Sequence, residues 1–243
     1  QLKLHKMKKL YLTIFLIIIG ASLWAQSTNP AGRRVAVGLS FGPSIDWLSP
    51  KTENYQGDGI KIGAKYGIPV DINFTKQANY YFSTGLFFSH NGGKLKFMDN
   101  TILDSNTYSV LMNRSYSATY LIIPTGIKLK TPSFKNFVFA GNFGLSHGFL
   151  LKGKKLDQCK IGDRDIVDPK KVNYKELLFF KESVYVGVGV EYIIKDDFRA
   201  NFFINYNYTF TNFFSGKALN EYYGNIKEKG NLGSIDFVFG VTF

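Results

Sequence analysis

The sequence predicts an all-β fold: an eight-stranded antiparallel up-and-down transmembrane β-barrel preceded by a cleavable signal peptide. Eight segments alternate apolar and polar side chains, the connectors between them are alternately long and short, and the chain ends on an aromatic residue, Phe243. Hydrocarbon tolerates neither unpaired backbone groups nor an open sheet edge. A closed barrel with one set of alternating residues facing lipid therefore fits this pattern best.

The first element is an export signal. From Met7 the chain reads MKKLYLTIFLIIIGASLWAQ, with two lysines, an apolar run and small residues near Ala25. The run is shorter than the roughly 18 to 20 apolar residues of a membrane-spanning helix. We expect residues 1–25 to be a signal peptide with an upstream extension, and residues 26–243 to form the barrel domain. An uncleaved anchor helix is the alternative.

Eight strands follow, each with apolar and polar residues on opposite faces. The clearest is the sixteen-residue segment 198–213, in which Phe202, Ile204 and Tyr206 alternate with polar neighbours such as Asn205. A period of two puts one set in hydrocarbon and the other in the lumen. The predicted strands are residues 34–48, 60–75, 79–97, 115–131, 136–151, 182–195, 198–213 and 231–243.

The connectors set the orientation of the barrel. Tight turns are predicted at residues 76–78, 132–135 and 196–197. Long loops are predicted at residues 49–59, 98–114, 152–181 and 214–230. Short periplasmic turns and long outer loops are the usual arrangement of outer-membrane barrels, with both termini in the periplasm.

Aromatic residues near the predicted strand ends indicate rings at the depth of the lipid headgroups. They are Trp47, Tyr55, Tyr108, Tyr116, Tyr120, Tyr206, Tyr208, Tyr222 and Tyr223.

Polar residues of the inward set predict a charged lumen. An eight-stranded barrel is just wide enough for its own side chains, so these charges should pair in a polar core and leave no route for solutes. The predicted lumen residues are Arg34, Asp46, Lys61, Lys65, Asp71, Lys128, Glu191, Arg199 and Asp236.

The net charge of +12 bears on the partners of the chain. A basic protein can bind nucleic acid, but an exported one rarely meets it, and the positive residues fall largely in connectors. Outer-membrane lipid and lipopolysaccharide are therefore the expected partners, together with an envelope protein that binds the outer loops.

Four sequence runs resemble the PorT-like outer-membrane β-barrel family, whose members are similar to small OmpA-type and OmpX-type barrels. The runs are SFGPSIDWLSP at residues 40–50, STGLFFSHNGGKLKF at 83–97, YLIIPTGIKLK at 120–130 and VGVGVEYII at 186–194. The chain departs from the family at Ile122, where an acidic residue is common. The resemblance implies an eight-stranded barrel in the outer membrane of a Gram-negative bacterium, and one branch of the family is associated with protein secretion. It also implies that Phe239, Val241 and Phe243 form the assembly signal read by the barrel insertion machinery.

The chemistry of the side chains gives weak indications of a reactive site. Some eight-stranded barrels modify lipid A, and His90 beside Ser89 and His147 beside Ser146 are the candidate pairs. Adjacent strand residues point to opposite faces, so a histidine would need a partner from a neighbouring strand. Asp163, Asp165 and Asp168 lack the spacing of a calcium loop, and Cys159 is a lone thiol in a predicted connector.

These observations predict a non-enzymatic integral outer-membrane protein without a cofactor, whose outer loops bind a partner. The first alternative is a component of a secretion machine, the second a lipid A-modifying enzyme, and the third a soluble exported binder of apolar ligands. A soluble binder would place its apolar residues inside the barrel.

Overall fold

The computed structural model describes residues 34–75, 79–103, 106–161, 164–172, 176–195, 198–215, 219–220 and 226–243. The predicted signal peptide and its cleavage site lie outside these residues, as do the turns at 76–78 and 196–197. Within the described residues, no helix has the length and apolar character needed to cross a membrane.

Twelve strands account for almost all of the described chain. They are β1 (Val35–Pro50), β2 (Gln56–Gly57), β3 (Ile60–Asn73), β4 (Tyr80–Leu103), β5 (Asn106–Lys130), β6 (Phe137–Ile161), β7 (Arg164–Val172), β8 (Phe180–Lys195), β9 (Phe198–Thr209), β10 (Leu219–Asn220), β11 (Ile226–Lys227) and β12 (Gly230–Thr242).

Eight of these strands close into an antiparallel barrel, in the order β1, β3, β4, β5, β6, β8, β9 and β12. The last strand pairs with the first, so that Phe41 lies opposite Phe239 and Ser44 opposite Asp236. The ladder includes the final residue, because the N–H groups of Val37 and Phe243 each donate to the other residue's carbonyl, at 3.1 and 2.9 Å. The prediction of an eight-stranded barrel is confirmed.

The barrel turns its apolar residues outward. Phe41, Ile62 and Val188 expose 65, 67 and 66% of their surface, and comparable residues occur on every barrel strand. Their neighbours in the chain, such as Gly42 and Gly63, face the interior. The alternative of a soluble binder with an apolar interior is therefore excluded for this barrel.

Three strands extend far beyond the apolar band. β4, β5 and β6 contain 24, 25 and 25 residues, whereas about 9–11 residues suffice to cross a bilayer. The predicted loop at 98–114 is wrong, because β4 and β5 continue as a hairpin paired out to Leu103 and Asn106. The predicted loop at 152–181 likewise contains the end of β6 and its hairpin partner β7.

The extended strands have a core of their own, which explains why they are ordered beyond the membrane. Their inward residues, including Leu95, Phe97 and Met112, pack on Tyr55 and on Phe213 and Phe214 from other segments. Burial of this apolar surface stabilises the hairpins in water. Cys159 belongs to the same cluster, so the lone thiol is buried and not displayed in a loop.

We expect the outward position of Val188 to distinguish a lipid-facing wall from a water-facing one. Val188→Lys should lower the free energy of unfolding by about 2–4 kcal/mol, the cost of a lysine near the bilayer midplane. The measurement is urea unfolding of the chain in lipid vesicles, followed by tryptophan fluorescence. Leu111→Lys is the control, because Leu111 is 48% exposed on the extended part of β5 and should cost less than about 1 kcal/mol. Equal losses of stability in both variants would contradict the assignment of Val188 to the lipid-facing surface of the barrel.

Candidate functional site

The lumen is filled by stacked ion pairs, beginning near the end of the barrel with the short turns. Lys130 Nζ lies 2.9 Å from Glu191, and Arg199 lies 3.2 Å from the same carboxylate. Glu191 is 1% exposed. One carboxylate thus contacts two basic groups from separate strands and compensates one of their two positive charges.

The second pair joins Lys128 to Asp71, with 2.5 Å between Nζ and Oδ2. The Ser83 hydroxyl donates to the other carboxylate oxygen at 2.7 Å. The ammonium group also lies 5.0 Å from the centre of the Phe203 ring. The charge is therefore compensated by a carboxylate and an aromatic face.

A third pair joins Lys65 to Asp236 at 3.1 Å, and Ser234 donates to the same carboxylate at 3.0 Å. Between this pair and the second one lies a cavity of about 80 Å³. Asn142 and Asn205 line it with buried amide oxygens that have no protein partner among the described residues. The cavity is large enough to hold several water molecules, and these two amide oxygens can accept hydrogen bonds from them.

Asp46 is held by neutral donors and, among the described residues, by no direct ion pair. Asn91 Nδ2 and the backbone N–H of Gly92 each donate to it at 3.0 Å. Lys181 Nζ donates to Asn91 Oδ1 at 3.2 Å and lies 4.4 Å from the centre of the Tyr120 ring. Asn91 therefore connects the acid to the base.

The structure thus places seven of the nine predicted lumen residues in the interior: Asp46, Lys65, Asp71, Lys128, Glu191, Arg199 and Asp236. Arg34 is exposed, because it precedes β1 and the alternation of that strand does not govern it. Lys61 leaves the lumen at the start of β3, where its Nζ donates to Ser115, to Ser117 and to the Tyr116 carbonyl. Sequence reasoning missed Lys130, although it has the same parity as Lys128.

A second buried charge cluster lies in the extended part, and sequence reasoning missed it completely. Arg114 contacts Asp157 at 2.5 Å, Glu228 at 3.3 Å and Asp99 at 3.4 Å. Tyr55 and Tyr116 donate to Glu228 at 3.0 and 3.3 Å. Burial raises the pKa of Glu228, while Arg114 and the two hydroxyl groups oppose that rise.

These contacts join three remote segments above the apolar band. Tyr55 comes from the connector after β1, Glu228 from the segment before β12, and Arg114 from β5. The Tyr55 ring also stacks on Phe97 with ring centres 4.3 Å apart. The predicted headgroup positions of Tyr55, Tyr116 and Tyr120 are therefore wrong, since all three rings point inward and are at most 7% exposed. Tyr222 and Tyr223 lie outside the described residues.

The outer face of β4, β5 and β6 changes from apolar to basic above the wall. The change occurs where Thr119 of β5 lies opposite His90 of β4 on one side and opposite Lys152 of β6 on the other. Further along, Ser117 pairs with Lys154 and Ser115 with Lys94. We call Lys61, Lys94, Lys152 and Lys154 the basic rim. Among the described residues, no carboxylate lies within ion-pair distance of these four ammonium groups.

The two histidines of interest both point outward, and each has partners on neighbouring strands. His90 contacts the hydroxyls of Thr119 and Tyr66 at 3.0 and 3.4 Å. His147 contacts Thr125 at 2.9 Å and the carboxylate of Glu182 at 2.8 Å. Neither uses the adjacent serine, because Ser89 and Ser146 face the lumen and are buried.

The aspartates of the β6–β7 hairpin can be assessed only in part. Asp163 lies outside the described part of the chain, and no group of three metal-ligating side chains occurs within that part.

We expect the pair of Lys128 and Asp71 to behave as a buried ion pair. Lys128→Met leaves the Asp71 carboxylate unpaired and should lower the free energy of unfolding by about 3–5 kcal/mol. The double variant Lys128→Met, Asp71→Leu should cost clearly less, because no uncompensated charge remains. Urea unfolding in vesicles measures both, and Lys135→Met at an exposed turn is the control. A double variant as unstable as the sum of its single changes would contradict the coupling.

Comparison with solved structures returns small outer-membrane barrels of low sequence identity. Ail, the attachment invasion locus protein of Yersinia pestis, is 11% identical, with 86% of this chain and 98% of that chain covered and a TM-score of 0.35. Neisserial surface protein A is 12% identical, with 85 and 97% covered and a TM-score of 0.40. Comparison with curated proteins gave no significant match.

The outer-membrane protease OmpT of Escherichia coli is also similar in structure. It is 8% identical, with 90% of this chain and 99% of that chain covered and a TM-score of 0.44. The prediction that the chain is not an enzyme is corrected to an undetermined enzyme status, because the proteins found by this comparison include a protease. The fold by itself does not exclude catalysis.

A family model described as outer membrane protein beta-barrel domain matches residues 24–215. The matched range contains seven of the eight barrel strands, from β1 to β9. The chain therefore belongs to the outer membrane protein beta-barrel domain family and is a protein of the bacterial outer membrane.

Proposed function

We propose that this barrel binds anionic glycolipid of the outer leaflet through the basic rim, lipopolysaccharide being the expected ligand. The observation that supports the proposal is the position of Lys61, Lys94, Lys152 and Lys154 directly above the apolar wall. Phosphate groups of a glycolipid lie at that depth, next to the ends of its acyl chains. Lysines near an anionic membrane surface each contribute about 1 kcal/mol of attraction.

The geometry of the rim supports binding of phosphate. Ser115 and Ser117 receive hydrogen bonds from Lys61 Nζ at 3.0 and 2.6 Å, which fixes that ammonium group between the pairing positions of Lys94 and Lys154. Lys94, Lys152 and Lys154 remain exposed. The rim therefore combines one positioned cation with three adaptable ones.

The extended sheet above the rim provides the surface for a protein partner. The charge cluster of Arg114 and Glu228 connects the loops to this sheet, and a rigid scaffold is what positions binding residues well. The PorT-like resemblance would make that partner part of a secretion machine. No particular contact of the described residues favours that narrower alternative.

We expect reversal of the rim charges to weaken glycolipid binding. The triple variant Lys94→Glu, Lys152→Glu, Lys154→Glu should lose about 3 kcal/mol or more, which is over 100-fold in affinity. Binding of purified lipopolysaccharide to the full chain in a neutral detergent measures the effect. The control is Lys135→Glu with Lys195→Glu, two exposed lysines at the opposite end of the barrel. Unchanged binding by the triple variant, or equal loss in the control, would contradict the proposal.

We also propose that Phe239, Val241 and Phe243 direct assembly of the barrel. Phe239 and Phe243 expose 44 and 43% of their surface on the outer face of the closing strand. An exposed aromatic end on that strand is available to an insertion partner before the barrel closes against β1.

Replacement of the terminal ring should therefore reduce assembly without removing a ladder bond. Phe243→Ala should lower the amount of folded protein in the outer membrane several-fold, while Phe243→Trp should preserve it. The measurement is the amount of folded barrel in membrane fractions. Phe198→Ala is the matched control, since Phe198 is 40% exposed at the same end of the barrel. A similar loss in Phe198→Ala would show that the effect is not specific to the terminus.

A further inference from the structure

The lipid-facing wall contains a hydrogen-bonded set of three side chains from three adjacent strands. Thr125 lies on β5, His147 on β6 and Glu182 on β8. His147 Nε2 lies 2.9 Å from Thr125 Oγ1, and His147 Nδ1 lies 2.8 Å from Glu182 Oε1. The imidazole is therefore held between a hydroxyl and a carboxylate.

The three side chains point away from the lumen. Their neighbours Ser146, Lys181 and Ser183 are buried inside the barrel, so alternation places His147 and Glu182 on the outer face. The side chains of His147 and Glu182 are 27 and 20% exposed. The set is thus open to the bilayer and sealed from the lumen.

Its depth corresponds to the outer boundary of the hydrocarbon. Beyond His147, β6 has one more outward ring, Phe149, before the exposed residues Leu151 and Lys152. Beyond Glu182, β8 begins with Phe180, whose ring centre is 5.3 Å from that of Phe149. Lys152 of the basic rim therefore lies just above this ring pair. The ester groups that join acyl chains to their headgroup lie at this boundary.

The polarity of the set demands an explanation beyond packing. An ionisable side chain on the lipid face costs free energy and marks a functional site by default. Glu182 Oε2 is buried and has no hydrogen-bond partner among the described residues. Within the described part of the chain, the hydrogen bond of its other oxygen is to His147, so the carboxylate is placed to orient the imidazole.

The two contacts of His147 suit one direction of proton transfer when the Glu182 carboxylate is ionised. An ionised carboxylate can only accept, so His147 Nδ1 carries the proton that bonds to Glu182. In the neutral ring Nε2 is then an acceptor, and the Thr125 hydroxyl donates to it. A hydroxyl that donates to an oriented imidazole is an activated nucleophile.

We propose that Thr125, His147 and Glu182 form a hydrolytic site for carboxylic esters of outer-leaflet lipids. Thr125 Oγ attacks the ester carbonyl as His147 Nε2 takes its proton. The bond to the alcohol breaks, and the imidazolium returns that proton to the departing oxygen. Water, activated by the same imidazole, then cleaves the acyl-threonine to give a fatty acid and the free hydroxyl. Glu182 is the positioning residue for the imidazole.

The test uses the full chain, folded in detergent and supplied with two ester sources in separate reactions. One is a phosphatidylglycerol vesicle, the other purified lipid A, so the headgroup that is accepted is identified. Release of fatty acid is measured by mass spectrometry. Thr125→Ala and His147→Gln should each reduce release about 100-fold or more, and Thr125→Ser should retain it.

His90 provides the matched control. It is the other outward histidine, it contacts two hydroxyls and no carboxylate, and His90→Gln should leave release within about twofold of the unaltered chain. Failure of the folded chain to release fatty acid from either lipid would overturn the proposal. Equal losses in the His90 and His147 variants would do the same.

A second readout is independent of variant folding. An alkyl fluorophosphonate should modify the unaltered chain on the segment 115–128, which contains Thr125, and loss of fluoride accompanies the new bond. Absence of that modification would also overturn the proposal. The basic rim is not required for this labelling, so failure of glycolipid binding by the rim and failure of ester cleavage are separate results.

Discussion

The pairing of every backbone polar group within the hydrocarbon governs the rest of this structure. A sheet in lipid cannot keep an open edge, and the ladder between β1 and β12 removes it. Closure then divides the side chains of each strand between lipid and lumen. Side chains fill the lumen except for the cavity of about 80 Å³, so its buried charges are compensated mainly by one another. The ion pairs of Lys128, Lys65 and Lys130 follow from that geometry.

The polar residues on the lipid face are the exception to this division. Most outward positions carry Phe, Val, Ile or Tyr, and the two histidines interrupt them near the outer boundary. His90 is compensated by hydroxyl groups only, whereas His147 is joined to a carboxylate. This chemical difference distinguishes the two sites, although both are outward histidines on long strands.

The sequence was sufficient for the barrel, its strand number and most of the lumen residues, because alternation of period two is a local signal. It was insufficient where contacts are remote. The cluster of Arg114, Asp157 and Glu228 joins segments more than 40 residues apart, as the 43-residue separation of Arg114 and Asp157 shows. Thr125 and Glu182 could not be connected to His147 without the strand register, which depends on closure of the whole barrel. The long hairpins were missed for another reason: most of their outward residues are polar, so the contrast that identifies a lipid-facing strand is weak there.

The hairpin strand β7 shows that the part of the sheet in water can keep an unpaired edge. It pairs with β6 and, within the described chain, with no other strand, so one margin of the extended sheet is unpaired. Water can hydrate those amides, and the fold tolerates in the aqueous phase what the acyl layer forbids a few residues below. The outer hairpins can therefore lengthen, shorten or rearrange during evolution, while the membrane-embedded barrel keeps a constant number of strands.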